Sequence, residues 1–161
     1  MEHPPSSTIL SSGIIAPDFT LGAEPGKTVR LADLRGKPVI LVFYPADWSP
    51  VCGDQLGLYN EILSEFDRFN ARLVGISVDG PWCHAAYRKH RNLDITLLSD
   101  FEPKGAVARQ YGAYFSDGGV CQRALFVIDP KGVIRWGYLS PMDVNPGADG
   151  ILAALEELQR K

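Results

Sequence analysis

Five apolar residues in a row at 39–43, Val-Ile-Leu-Val-Phe, run directly into a polar, proline-rich stretch, Tyr44-Pro45-Ala46-Asp47-Trp48-Ser49-Pro50-Val51-Cys52-Gly53-Asp54-Gln55. The run is β-branched and aromatic, and its length suits a buried strand. A helical pattern follows over residues 56–66. Residues 44–55 are therefore a strand-to-helix crossover, with Cys52 close to the first turn of the helix. Unpaired backbone N–H groups point outward at such a turn, and the helix dipole favours negative charge there. A thiol in that place ionises more easily, and the thiolate is the nucleophile. A passive apolar cysteine of the core is the competing reading, and it accounts less well for a position at a helix start.

The rest of the chain repeats this grammar. Residues 73–78 read as a second buried strand, giving a βαβ unit whose crossover is right-handed. Residues 19–21 and 28–31 flank a Gly/Pro turn and predict an N-terminal β-hairpin. A helix is predicted over 81–91, with Pro81 in its first turn. A strand over 95–100 and a short helix over 105–111, ended by Gly112, come next. Residues 124–128 and 133–138 form a hairpin around Asp129-Pro130-Lys131-Gly132. A closing helix over 150–159 carries Ile151, Leu152, Leu155 and Leu158 on one face. The order predicts an α/β fold, a central mixed β-sheet flanked by helices. Residues 1–13, rich in Pro and Ser, read as a flexible segment, and 14–161 as one domain.

Charge and cysteine usage narrow the function. The formal charge is −3 and no basic block appears, which argues against nucleic acid and anionic membranes as partners. The apolar runs are too short to span a bilayer. The N-terminus has neither a basic region nor a long apolar core, so no signal peptide is expected. The three cysteines, at 52, 83 and 121, suit neither a disulfide framework nor a zinc site. No Gly-rich phosphate loop is present. The reading is a cytoplasmic protein with reactive thiols and no cofactor or metal.

Certain spacings are more specific. Pro45, Ser49 and Cys52 match the Pro-x-x-x-Thr/Ser-x-x-Cys signature of the peroxiredoxins. Arg123, before Ala124-Leu125-Phe126-Val127-Ile128-Asp129, is a second match. Ala16-Pro17-Asp18-Phe19 and Leu31-Ala32-Asp33-Leu34-Arg35-Gly36-Lys37 are also similar. The chain resembles that family, most of all the bacterioferritin comigratory protein and alkyl hydroperoxide reductase-like subgroups. One departure is Gln55, where many members carry Glu. The resemblance implies a thioredoxin-like fold and a peroxidase acting on hydrogen peroxide and organic hydroperoxides. Cys52 would be the peroxidatic cysteine, with Pro45, Ser49 and Arg123 completing the site. It further implies Cys83 as the resolving cysteine and thioredoxin or a similar dithiol as reductant. Monomer and homodimer both fit. A redox sensor, or a one-cysteine peroxidase using an external thiol, is the alternative. A Cys-x-x-Cys oxidoreductase is disfavoured, because Gln55 stands where its second cysteine would be.

Each site position has a chemical rationale. Arg123 lowers the cost of a thiolate, and Ser49 offers a hydroxyl to sulfur or peroxide. The Val51 and Cys52 N–H groups can stabilise charge on oxygen. Pro45 shields sulfur without offering a donor. Cys121, two residues before Arg123, would share its strand face if the strand extends that far, as a neighbour of the site, an alternative resolving thiol or an inert one. His84 reads as a helix-surface residue. Trp48 is expected beside the site, and Trp82 over the first helix.

Overall fold

The computed structural model describes residues 9–160. Among the described residues, nine strands and five α-helices contain the predicted elements in their predicted order. The strands are β1 (Thr20–Glu24), β2 (Lys27–Arg30), β3 (Val39–Phe43), β4 (Arg72–Ser77), β5 (Thr96–Ser99), β6 (Tyr114–Phe115), β7 (Val120–Cys121), β8 (Arg123–Ile128) and β9 (Ile134–Ser140). The helices are α1 (Pro50–Glu61), α2 (Leu63–Asp67), α3 (Pro81–Arg91), α4 (Ala106–Gln110) and α5 (Asp149–Gln159).

Seven strands make one sheet in the order β2-β1-β5-β4-β3-β8-β9. β3, β4 and β5 run parallel, whereas β8 is antiparallel to β3 and β9 to β8. The sheet is thus mixed, as expected. Every residue of β3 is buried because both faces of the sheet are covered. Ile40 and Val42 face a core made with Leu56, Tyr59 and Phe66 of the first two helices, Tyr87 of α3, and Ile151 and Leu155 of α5. Val39, Leu41 and Phe43 face a second core with Val107, Ala108 and Tyr111 around α4, together with Phe19 and Ile134. Full burial of such a side chain contributes about 1.5–3 kcal/mol, so these two layers carry the fold.

Some local features differ from expectation. The helix predicted over 56–66 starts at Pro50 and breaks at Ile62, whose φ of −110° and ψ of 22° separate α1 from α2. The N-terminal hairpin is not an appendage, since β1 pairs with β5 and extends the main sheet. Within the segment expected to be flexible, residues 1–8 lie outside the described residues. Leu10 N–H donates to the Tyr111 carbonyl and Gly13 N–H to the Ile134 carbonyl, which docks the stretch after them. The ribbon of β6 and β7 was not predicted, because two-residue strands leave no periodicity to read.

Candidate active site

Topology brings the site together. Phe43, the last residue of β3, pairs with Ala124. The start of antiparallel β8 therefore lies where β3 hands over to α1, and Arg123 projects toward the first turn of that helix. Pro50 opens α1, so Cys52 is its third residue. Ser49 is the N-cap, and its Oγ accepts weakly from the Cys52 N–H at 3.5 Å. The serine predicted as a partner of sulfur or peroxide thus first holds the helix start. Pro45 sits half-buried in the same crossover.

Cys52 is fully buried and Arg123 is 1% exposed. Arg123 Nη1 donates to Cys52 Sγ at 3.3 Å and to Gln55 Oε1 at 2.8 Å. Its Nε and Nη2 both donate to the Met142 carbonyl, at 3.2 and 2.8 Å. Gln55 Nε2 donates to the Tyr59 hydroxyl at 3.2 Å, and that hydroxyl donates to the Gly147 carbonyl at 2.8 Å. Burial pushes the Tyr59 hydroxyl up to about 12, so it remains a donor at neutral pH. A second cation meets the same turn, since Arg91 Nη2 donates to the Gly53 carbonyl at 2.9 Å.

Cys83 is the third residue of α3, a first-turn position like that of Cys52. All three cysteines are free thiols. Cys83 lies against two carboxylates rather than a cation, and its Sγ is 3.9 Å from Asp79 Oδ1. Burial, then the charges of Asp47 and Asp79, push its thiol up to about 11. Asp47, Asp79 and Cys83 bring potential metal-ligating atoms within 4.8 Å of one another. Their carboxylate oxygens are already engaged. Asp47 accepts from the Tyr44 hydroxyl at 2.6 Å and meets His84 Nδ1 at 2.7 Å. Asp79 Oδ2 accepts from the Ser77 hydroxyl and the Asp47 N–H, and its Oδ1 faces Cys83.

Three readings are corrected by this arrangement. His84 is not a surface residue; it is fully buried, held between Asp47 and the Leu98 carbonyl, 3.1 Å from Nε2. Cys121 does not share a face with Arg123. It belongs to the β6–β7 ribbon, β8 begins only after Gln122, and Cys121 packs in the second core. Burial raises its thiol far above the ordinary range. Trp82 covers no helix and is 77% exposed. Trp48 instead packs on α3, its ring 5.0 Å from Tyr87 and 5.2 Å from His90. Its φ of 73° is unusual for a bulky side chain and marks the sharp turn before Ser49.

Sequence reasoning missed Met142, Tyr59 and Arg91. The first acts through its carbonyl, which no residue type signals. Arg91 approaches α1 closely where Gly53 has no side chain; a Cβ there would stand 3.0 Å from the guanidinium, which would have to give way slightly.

Comparison with known proteins agrees with this geometry. Residues 13–137 match the AhpC/TSA family. The chain belongs to that family. It is 35% identical over 155 residues to peroxiredoxin-1 of Gallus gallus, covering 89% of this chain and 77% of that one. It is 36% identical over 132 residues to alkyl hydroperoxide reductase E of Mycobacterium tuberculosis, covering 81% and 86%. The reduced 2-Cys peroxiredoxin of Plasmodium vivax superposes with a TM-score of 0.85 at 28% identity, covering 92% of this chain and 82% of that one. The predicted thioredoxin-like fold and peroxiredoxin membership therefore hold. Among the described residues, no helix is long and apolar enough to cross a membrane.

Proposed function

We propose that the protein is a thiol-dependent peroxidase that reduces hydrogen peroxide and organic hydroperoxides at Cys52. The observation that carries this is the guanidinium of Arg123 donating to a fully buried cysteine sulfur in the first turn of a helix. A cation and the N–H groups of a helix start face this sulfur, and attack on an O–O bond needs a thiolate. The thiolate attacks one peroxide oxygen and the O–O bond breaks. Cys52 becomes a sulfenic acid, and the departing alkoxide or hydroxide takes a proton to become alcohol or water. Pro45 limits water at the sulfur, and Ser49 keeps the helix start in place.

The resolving step is assigned to Cys83. Its thiol attacks the sulfenic sulfur, a disulfide forms, and water leaves. Each cysteine belongs to the first turn of its own helix, so these turns unwind before the sulfurs meet. Thioredoxin or a similar cytoplasmic dithiol then reduces the bond, with the enzyme acting as monomer or homodimer. The test is steady-state peroxide consumption with a thioredoxin system. The Cys52→Ser variant is expected to lose turnover while keeping its fold, because a hydroxyl is barely ionised at neutral pH. Retained turnover would remove Cys52 from the mechanism. Disulfide mapping after one equivalent of peroxide is expected to give a Cys52–Cys83 peptide. A Cys52–Cys121 peptide moves the resolving role, and a lasting sulfenic acid makes this a one-cysteine enzyme.

A further inference from the structure

The guanidinium of Arg123 is buried, and among the described residues no carboxylate lies within 4.0 Å of it. Its acceptors are the Met142 carbonyl, the Gln55 amide oxygen and the sulfur of Cys52. A guanidinium does not deprotonate in proteins, and a buried charge is stable only when hydrogen-bonded and paired. Two of the three acceptors are neutral. The one group present that can balance the charge is a Cys52 thiolate.

We infer that Gln55 is a positioning residue that keeps the whole charge of Arg123 for the sulfur, because it accepts the guanidinium's hydrogen bond without neutralising it. The amide is fixed at both ends. Tyr59 places its proton on Gly147, so its oxygen accepts from Gln55 Nε2, and this turns Oε1 toward Arg123. A carboxylate at 55 could accept from the same Arg123 nitrogen and would add a negative charge beside the one that meets the sulfur. It would also place a bare oxygen against the Tyr59 oxygen. The inference rests on Cys52 as the reactive thiol.

The groups able to influence Cys52 are few. Arg123 comes from β8, and Arg91 from α3 is occupied by the Gly53 carbonyl. Tyr87 of α3, Tyr59 of α1 and Cys121 of β7 are held neutral at physiological pH, their ionisation opposed by burial. Asp47, Asp79 and Asp100 act on neighbouring groups from further away, and Arg123 is the cation that donates directly to the sulfur.

The test is the pH profile of Cys52 alkylation by iodoacetamide in the full chain, in reductant-free buffer. Cys83→Ser and Cys121→Ser are placed in the background so that one thiol reports. Gln55→Glu is expected to raise the midpoint by about one pH unit or more, since a neighbouring charge shifts ionisation on that scale. At pH values below the midpoint that means roughly tenfold slower alkylation. Gln55→Met, which removes the hydrogen bond without adding charge, is expected to shift the midpoint less. Thermal unfolding of each variant confirms folding. An unchanged midpoint in Gln55→Glu overturns the inference. So does a shift in Gln55→Met as large as in Gln55→Glu, because geometry rather than charge would then be the cause. Alkylation needs no peroxide, so a protein that consumed none would refute the peroxidase reading and leave this test intact.

Discussion

Replacing His84 by alanine is the strongest test of what holds the crossover in place. The ring is wholly buried, and both nitrogens face acceptors, Asp47 Oδ2 at 2.7 Å and the Leu98 carbonyl at 3.1 Å. A carbonyl has nothing to donate, so Nε2 supplies that proton, and Nδ1 faces the Asp47 carboxylate. Asp47 is fixed at its other oxygen by Tyr44 and through its N–H by Asp79. The histidine therefore ties the loop carrying Pro45 and Ser49 to α3 and to the end of β5. His84→Ala strands a buried carboxylate and orphans the Leu98 carbonyl. Breaking a buried pair from one side costs about 3–5 kcal/mol. For a chain of this size that corresponds to a fall of about 6–20 °C in Tm.

The assay is urea or thermal unfolding in the presence of reductant, so that thiol oxidation does not intervene. The double variant Asp47→Asn/His84→Ala closes a thermodynamic cycle. Because it removes the stranded charge, its loss is expected to fall short of the sum of the two single losses by about 1–3 kcal/mol. A loss below about 1 kcal/mol for His84→Ala is what a surface position gives, and it would refute the reasoning. Strict additivity in the cycle would do the same for the pairing with Asp47.

Two further outcomes follow from other parts of the fold. Asp129 closes the β8–β9 hairpin, accepting from the Lys131 and Val133 N–H groups at 2.9 Å each and from Arg135 at 2.7 Å. Burial opposes its ionisation, but these donors outweigh it and hold the carboxyl below its ordinary value. Its stabilisation is complete above the unfolded value of about 3.9 and is lost as pH falls through the folded one. Asp129→Ala is expected to lower Tm by about 5 °C at pH 7, from roughly 2 kcal/mol of charged hydrogen bonds; an unchanged Tm would refute this. On the alkaline side, burial raises Cys83 to about 11 and Tyr59 to about 12, and raises Tyr44, Tyr87, Tyr111 and Cys121 as well. The fold keeps these groups protonated, so stability is full below the unfolded values of about 8.5–10 and falls as pH rises past them. Urea midpoints at pH 8 and 10.5 measure it, and a flat profile counts against the burial of these groups.

Much of this was legible because local pattern and global fold agree. The run at 39–43 is a strand buried on both faces, whereas Cys52 and Arg123 come together through the pairing of β3 with β8, which the hairpin around 129–132 did not specify. His84 was misread because helical periodicity alone does not reveal what a polar residue meets. On α3 the buried face is polar at that position, and its partner Asp47 lies in a loop without periodicity. The shared face of Cys121 and Arg123 was conditional on a continuous strand, and the strand breaks at Gln122, which leaves Cys121 a buried free thiol. Gln55 was visible as a departure from a pattern, but its effect depends on the absence of a carboxylate around Arg123, and only coordinates show that.

The two first-turn cysteines occupy opposite electrostatic surroundings, and the same sheet edge creates both. β3 and β4 run parallel, so each hands over to a helix at the same end of the sheet. After β3 the turn meets a cation whose neighbours at 55 and 142 are neutral and which donates to the sulfur of Cys52. After β4 the turn meets Asp79, itself anchored by Ser77 and by the Asp47 N–H, which favours a protonated sulfur at Cys83. A thiolate that attacks peroxide and a thiol that waits have different needs, and helix starts alone do not distinguish them, because the dipole is common to both. The distinction comes from one arginine without a carboxylate and one pair of carboxylates without an arginine. Unwinding of the α3 start would part Cys83 from Asp79 and Asp47 and relieve both burial and like charge. On the proposed mechanism, Cys83 would therefore become a better nucleophile at the moment when it is free to reach Cys52.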